Sequence, residues 1–337
     1  MSHKTLFISV FFSLFFLIGT KGNAQKTVIR GFVDVLGFDE KGKVGFGLGE
    51  QDLFITSEIN DRISFLGESV FKYTAGSPTQ FSVSIERVVL KYNFYGNNNL
   101  IVGKVHTPLN YWNYTYHHGR LLFPTIERPL LFAADIIPLH TTGIGVQGQD
   151  MGDAKFGYDV FVGSGIGSSE IADNDKRKSV TLGMHIRPAN ALTLGVSYYN
   201  DGVAKGAKLH DGSVSNYNTK QNLFTAYVAN FGNKVELLAE GTLAHNHTDS
   251  LGTKESFAGY VYAGFKIKEK LVPYVRFDNL NFQAGEMLFH NNNMRGAIAG
   301  VRYEINYLAV VKVEYQHSYS ELTGKADKVS AQFAIGF

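Results

Sequence analysis

Apolar and polar residues alternate at a period of two through most of this chain. Between 28 and 37, Ile29, Gly31, Val33 and Val35 fall on one side and Arg30, Phe32 and Asp34 on the other. The same spacing recurs in 44–57, 62–73, 81–95, 100–106, 141–149, 155–165, 179–187, 192–200, 221–231, 235–246, 257–268, 271–282, 295–306, 308–319 and 328–337. A period of two is that of a strand with unlike faces, so the spacing predicts an all-β chain of about sixteen strands. In the last segment Val329, Ala331, Phe333, Ile335 and Phe337 oppose Ser330, Gln332 and Gly336. In the one before, Val311, Val313 and Tyr315 oppose Lys312, Glu314 and Gln316. In 295–306, Ala297, Ala299, Val301 and Tyr303 oppose Arg302, Glu304 and Asn306.

The connections alternate too. One set is tight, at 60–61, 96–98, 151–154, 188–191, 232–234, 269–270 and 306–307. The other is mostly longer and polar, at 108–140, 166–178, 201–220, 248–256, 284–294 and 320–327, with 38–43 a short exception. A transmembrane antiparallel β-barrel with short periplasmic turns and long extracellular loops has this pattern. Hydrocarbon requires every backbone polar group to be paired, and closing the sheet removes its edges. The apolar face then meets lipid and the charged face a hydrated lumen. Tyr92, Phe94, Tyr95, Phe231, Phe265, Tyr303, Tyr307 and Phe337, near strand ends, form aromatic girdles in this reading. The competing reading is a water-soluble barrel or sandwich with Val301, Val311, Phe333 and Ile335 turned inward, which leaves the turn alternation without a cause.

Composition narrows the class. The 337 residues include no Cys, 36 Gly, 18 Tyr and 26 Phe, and the mean hydropathy is near zero. That average argues against a bundle of membrane helices, each needing ~20 consecutive apolar residues. Without cysteine there is no disulfide framework. The first 24 residues stand apart: Lys4, an apolar run over 6–18, then Gly22-Asn23-Ala24 before Gln25. They read as a secretory signal peptide, leaving 25–337 as the barrel. Setting aside Lys4 and Lys21 from the 32 basic residues leaves 30, against 30 acidic ones. A neutral balance gives no sign of a nucleic-acid partner.

The inward face is charged. Its predicted pore-lining residues are Arg87, Lys91, Lys104, Arg187, Arg276, Arg302 and Lys312, against Glu68, Asp159, Glu240, Asp278, Glu304 and Glu314. Arg30, Asp34, Glu58, Glu236 and Lys266 share that face. Neither sign wins, so net charge confers little ionic selectivity, and each pair read singly is a solvated wall. Segment 108–140 is the longest without clean alternation. It holds the sole tryptophan, Trp112, with Tyr111, Tyr114, Tyr116, His117, His118, Arg120, Arg128 and four of the seven prolines. A long insert this aromatic is functional rather than disordered, and about sixteen strands leave an aqueous channel unless something fills it. The expectation is a constriction loop folded into the lumen. Its aromatics either pack on the wall or stack on sugar faces. Its arginines either contact anionic solutes or pair with Glu127 and Asp135.

Enzymatic and metal chemistry find little support. His106, His117, His118 and His140 with Asp135 lack any metal-ligand spacing. Gly163-Ser164-Gly165-Ile166-Gly167 is followed by no helix, and no G-x-S-x-G elbow occurs. No catalytic residue, metal ligand or cofactor is expected.

Three segments together carry a family resemblance: DLFITSEINDRISFLGESVF at 52–71, SIERVVLKYNFYGNNNLIVGKVHTPLNYWNYTYHHG at 84–119, and the terminal aromatic strand ending in Phe337. The chain resembles the porin superfamily of Gram-negative outer membranes and is most similar to Bacteroidetes-type members distantly related to phosphate-selective porins. The resemblance implies export to the cell outer membrane, contact with its lipid, a homotrimer, and passive diffusion of small hydrophilic solutes. Phe337 resembles the terminal residue of the outer-membrane insertion signal. Phosphate-selective relatives carry lysine and arginine arrays; this chain has no such run, so that specificity does not carry over. The alternative is a non-conducting barrel acting as a structural or binding partner in a surface complex, because fold does not fix function.

Overall fold

Sixteen strands form where the alternation predicts them. The structure, a computed structural model, describes residues 25–74, 76–116, 120–166, 173, 176–209, 212–289 and 292–337. The predicted signal peptide, residues 1–24, and two predicted loop residues, His117 and His118, lie outside the described residues. In chain order the strands are β1 Lys26–Glu40, β2 Lys43–Glu58, β3 Ile63–Tyr73, β4 Phe81–Tyr95 and β5 Asn98–His106. Two short helices follow, α1 Tyr111–Thr115 and α2 Leu130–Ala133. Then come β6 His140–Met151, β7 Phe156–Gly163, β8 Ser179–Ala189, β9 Leu192–Val203, β10 Thr219–Phe231 and β11 Val235–Thr248. The last are β12 Gly252–Phe265, β13 Leu271–Phe282, β14 Met294–Asn306, β15 Ala309–Ser320 and β16 Gly324–Gly336.

Each strand pairs antiparallel with its sequence neighbours, and β1 pairs with β16 to close the barrel. Gly31 and Phe337 exchange backbone hydrogen bonds of 3.0 and 2.9 Å at that seam. Closure leaves no unpaired edge. Val301, Val313, Phe333 and Ile335 point away from the lumen with 42, 49, 42 and 38% of their surface exposed. Their neighbours Arg302, Lys312, Glu314 and Gln332 point inward and are buried. An apolar exterior on all sides exceeds the few hundred Å² that a water-soluble monomer exposes in one patch. It excludes the reading with Val301, Phe333 and Ile335 inside.

The structure corrects several details. The strands run further toward the long-loop rim than predicted. Segments 248–256 and 320–327, expected as loops, are mostly β-ladder with hairpin turns at 249–251 and 321–323. Long-range pairing overrides the polar composition there. The long connections that remain are 74–80, 107–139, 164–178, 204–218 and 283–293. Phe231, expected in a girdle, packs inward on Tyr111. It sits one residue beyond outward-facing Asn230, so the alternation of β10 turns it to the lumen.

Two register shifts matter for the interior. On β2, Gly49 and Glu50 together oppose Asp34 of β1, because Gln51 pairs with Val33 and Leu48 with Val35. On β4, Glu86 is the extra residue between Arg87, paired with Glu68, and Ile85, paired with Ser69. A bulge of this kind re-aims a side chain. Glu50 and Glu86, which strict alternation sends outward or leaves unassigned, are 5 and 6% exposed and face the lumen. A Cβ at Gly49 would lie 2.0 Å from Asp34 Oδ1, so a side chain at the first bulge would displace that carboxylate.

Candidate functional site

The interior is built around the 107–139 connection, which crosses from β5 to the inner faces of β11–β15. Its anchoring follows one rule: wall carboxylates accept from loop N–H groups, and wall cations donate to loop carbonyls. Glu240 accepts from Tyr111 N (2.7 Å), Trp112 N (2.9 Å) and the Tyr260 hydroxyl. These are the first N–H groups of α1, which no helix carbonyl can satisfy. Asp278 accepts from Leu130 N (2.9 Å), the same arrangement at α2. Glu314 accepts from Ile126 N (2.6 Å) and Tyr274 Oη (2.7 Å).

The cations complete the pattern. Arg276 donates from Nε to Asp278 (2.9 Å), from Nη1 to Thr125 Oγ1 (2.5 Å) and Glu127 O (2.7 Å), and from Nη2 to Arg128 O (3.2 Å). Arg302 reaches Pro124 O at 3.2 Å and Glu236 Oε1 at 2.7 Å. Lys312 Nζ donates to Arg120 O (2.7 Å) and Thr125 O (3.3 Å). Arg276 and Arg302 keep their buried charges because each is paired with a carboxylate and hydrogen-bonded.

An apolar core locks the same segment. Trp112 is wholly buried, with ring centroids 5.0 Å from Phe123, 5.2 Å from Tyr116 and 6.1 Å from Tyr260. Tyr111 stacks on Phe231 at 6.1 Å. Of the predicted loop aromatics, Tyr111, Trp112 and Tyr116 are therefore packing groups. Tyr114 differs: its hydroxyl takes hydrogen bonds from Gln147 (2.6 Å) and Gln149 (2.9 Å) beside a cavity. Leu209, Leu288 and Phe289, from the 204–218 and 283–293 connections, join the same buried cluster. The β8–β15 half of the lumen is thus largely filled.

The opposite wall is open. An upper cavity of ≈ 730 Å³ is lined by Glu40, Lys72 and Lys328 at the long-loop rim and by Glu50, Glu86, Lys104, Arg120, Arg128 and His140 below. A middle cavity of ≈ 280 Å³ is lined by Arg87, Lys91, His106, Tyr114 and Asp159 among others. A lower cavity of ≈ 430 Å³ shares Lys91 and opens at the short-turn rim beside Asn60 and Arg62. All three run along β1–β7, apart from the upper cavity's contacts with β15 and β16 and the contacts of the upper and middle cavities with the loop.

The predicted lining residues therefore divide. Lys91, Lys104, Arg87 and Asp159 line cavities. Glu240, Arg276, Asp278, Arg302, Lys312 and Glu314 also face inward but are buried, holding the loop instead of meeting open water. Glu68 is buried beneath Arg87, its ion-pair partner. Glu304 pairs with Arg302, and Arg187 with Asp150 near the short-turn rim. Arg120 does not pair with Asp135 but reaches across to Glu50 (3.4 Å), Asp34 (3.9 Å) and Glu127 (3.9 Å). Burial opposes its charge, yet those three carboxylates together hold its guanidinium above the ordinary range; at Arg128 burial wins and lowers it.

Sequence reasoning missed Glu50 and Glu86, for which a glycine before one and an adjacent charge after the other were the available signals. Among the described residues, no group of three His, Cys, Asp or Glu side chains is disposed to hold a metal ion.

No protein-family model matches the chain, and no curated protein is similar to it at a significant level. Solved structures are. An anion-selective porin from Comamonas acidovorans aligns with a TM-score of 0.66 at 10% identity, over 93% of this chain and 100% of that one. OmpT, an outer membrane protein of Vibrio cholerae in a trimer form, aligns with a TM-score of 0.63 at 12% identity, over 94 and 100%. The outer membrane channel DcaP of Acinetobacter baumannii aligns with a TM-score of 0.62 at 12% identity, over 95 and 100%. At such identities the likeness is one of fold: a closed sixteen-stranded antiparallel barrel spanning the full length of its counterparts.

Proposed function

We propose that this chain is an outer-membrane channel for passive diffusion of small hydrophilic solutes, narrowed by the 107–139 connection. The observation that carries this reading is the series of three cavities along β1–β7: the lower and middle ones share Lys91, and the middle and upper ones are lined by the successive residues Val105 and Lys104. The apolar exterior supports a bilayer surround. The names of the similar structures, a porin and an outer membrane channel, support the class of activity. The long-loop rim then faces outside and the short turns the periplasm, reached by export on the 1–24 segment. A homotrimer is supported by the trimer form of one similar barrel and by the apolar outer faces of β1, β2 and β4.

The proposed path carries Arg87, Lys91, Lys104, Arg120 and Arg128 against Glu50, Glu86, Asp135 and Asp159, a mixed lining that admits solutes of either sign. The reading includes no enzymatic step and no cofactor. Planar-bilayer recording on pure protein is the test. Ohmic steps with sugar flux in swelling liposomes are expected; a barrel that inserts and passes neither is a sealed structural piece instead. Deleting 110–120 is expected to raise unit conductance, and an unchanged step would place the restriction elsewhere.

A further inference from the structure

Two departures from strand alternation converge on the upper cavity. The bulges of β2 and β4 turn Glu50 and Glu86 inward, and both carboxylates line that space. Bulges recur beside functional sites, where they re-aim a side chain. Among the described residues, five carboxylates and five cationic side chains line the cavity, so net charge favours neither sign of ion. Their arrangement is more specific. Three neighbouring strand pairs each carry one of either sign: Glu40 opposite Lys328 on β1 and β16, Glu50 opposite Lys72 on β2 and β3, and Glu86 with Lys104 on β4 and β5.

A row of alternating sign crosses the cavity. Lys72 Nζ lies 3.6 Å from Glu50 Oε1, and Glu50 Oε2 lies 3.4 Å from Arg120 Nε. Arg120 Nη1 lies 3.9 Å from Glu127 Oε2, and Glu127 Oε1 lies 3.9 Å from Lys328 Nζ. A charge-assisted N–H···O bond is ~2.7–2.9 Å long, so these pairs are loose. Arg120 shows the slack most clearly. Its Nε and Nη1 find no hydrogen-bond partner among the described residues, although three carboxylates lie 3.4–3.9 Å away. A lone ion entering such a row is attracted by one neighbour and repelled by the next. A solute carrying both signs is attracted at both ends.

Resting on the channel reading, we propose that the upper cavity is a subsite for small zwitterionic solutes, amino acids and short peptides. The solute's carboxylate accepts from the Arg120 guanidinium, and its ammonium donates to Glu50. The row keeps its charge balance, because the solute brings one charge of each sign. Two ionic contacts of the strength measured for partly solvated pairs lengthen residence by about two- to thirtyfold. Binding that weak still lets the solute leave, as conduction requires.

The test is influx into proteoliposomes of the full-length protein, at pH 7 and low solute concentration. Four solutes of similar size are compared: zwitterionic glycylglycine, uncharged N-acetylglycinamide, anionic N-acetylglycine and cationic glycylglycinamide. Glycylglycine is expected to enter fastest, by about two- to thirtyfold over the uncharged solute. Arg120→Gln is expected to bring it down to the rate of the cation, and Glu50→Gln to that of the anion. A merely structural role would not produce that charge-specific split. Should either variant fail to insert, the wild-type ordering decides. Glycylglycine entering no faster than the next solute, or keeping its lead in either variant, would overturn this inference alone. Vesicles that admit none of the four would overturn the channel reading and this inference with it.

Discussion

Replacing Glu240 by alanine tests the anchoring of the loop most directly. The substitution removes the acceptor of Tyr111 N, Trp112 N and the Tyr260 hydroxyl at a site that is 4% exposed. A buried donor left without an acceptor costs ~1–3 kcal/mol. The three share one vacated space that water can enter, so the total is about 3–5 kcal/mol rather than the full sum. At ~1.4 kcal/mol per decade, docking of α1 weakens by about a hundred- to several thousandfold. The chain supplies its own reporter, because Trp112 is the sole tryptophan and sits fully buried on α1. Wild-type emission is expected to be blue-shifted and shielded from acrylamide. In Glu240→Ala it is expected to move to the red and become quenchable, with Glu240→Gln between the two. Leu243→Ala, on the outer face of the same strand, is the control and should leave emission unchanged. Unaltered emission and quenching in a Glu240→Ala barrel that still shows heat-modifiable mobility would refute the anchoring argument.

Other expectations follow from the same geometry. Arg276→Met strips Asp278 of its guanidinium and leaves a buried charge uncompensated, at a cost of ~3–5 kcal/mol; the urea midpoint of vesicle-refolded protein should fall accordingly. Gly49→Val drives a side chain into the Asp34 carboxylate and undoes the bulge, so the yield of folded barrel should drop sharply, whereas Gly47→Val, where a Cβ meets nothing closer than Leu36 Cβ at 3.9 Å, should cost far less. Val313→Arg puts a charge on the outer face midway along β15, worth ~2–4 kcal/mol near the bilayer centre; if it folds into vesicles as well as wild type, that face does not meet hydrocarbon.

The barrel was legible in the sequence because lipid and water on opposite sides of one sheet force a period of two on every strand. Strand count and the outward set Val301, Val313, Phe333 and Ile335 follow from that alone. What escaped was whatever breaks the period. The bulges at Gly49-Glu50 and Glu86-Arg87 each insert one residue, which re-aims a carboxylate without altering local composition. Polar segments such as 248–256 became ladder because pairing partners lie in register across the hairpin, a long-range cause. Nor does alternation separate a charge that meets solvent from one that holds a loop. Lys91 and Lys312 look alike in a list of inward cations, yet the first lines a cavity and the second donates to Arg120 and Thr125 carbonyls. The difference is made by the loop's path, which periodicity does not encode.

The off-centre seat of the loop has an evolutionary consequence. One hemicylinder carries nearly all the interior hydrogen bonding and aromatic packing, so drift there is penalised through stability. The other carries the cavities and few of those contacts. The side chains on β1–β7 that line the cavities can therefore be exchanged singly while the scaffold stands unchanged.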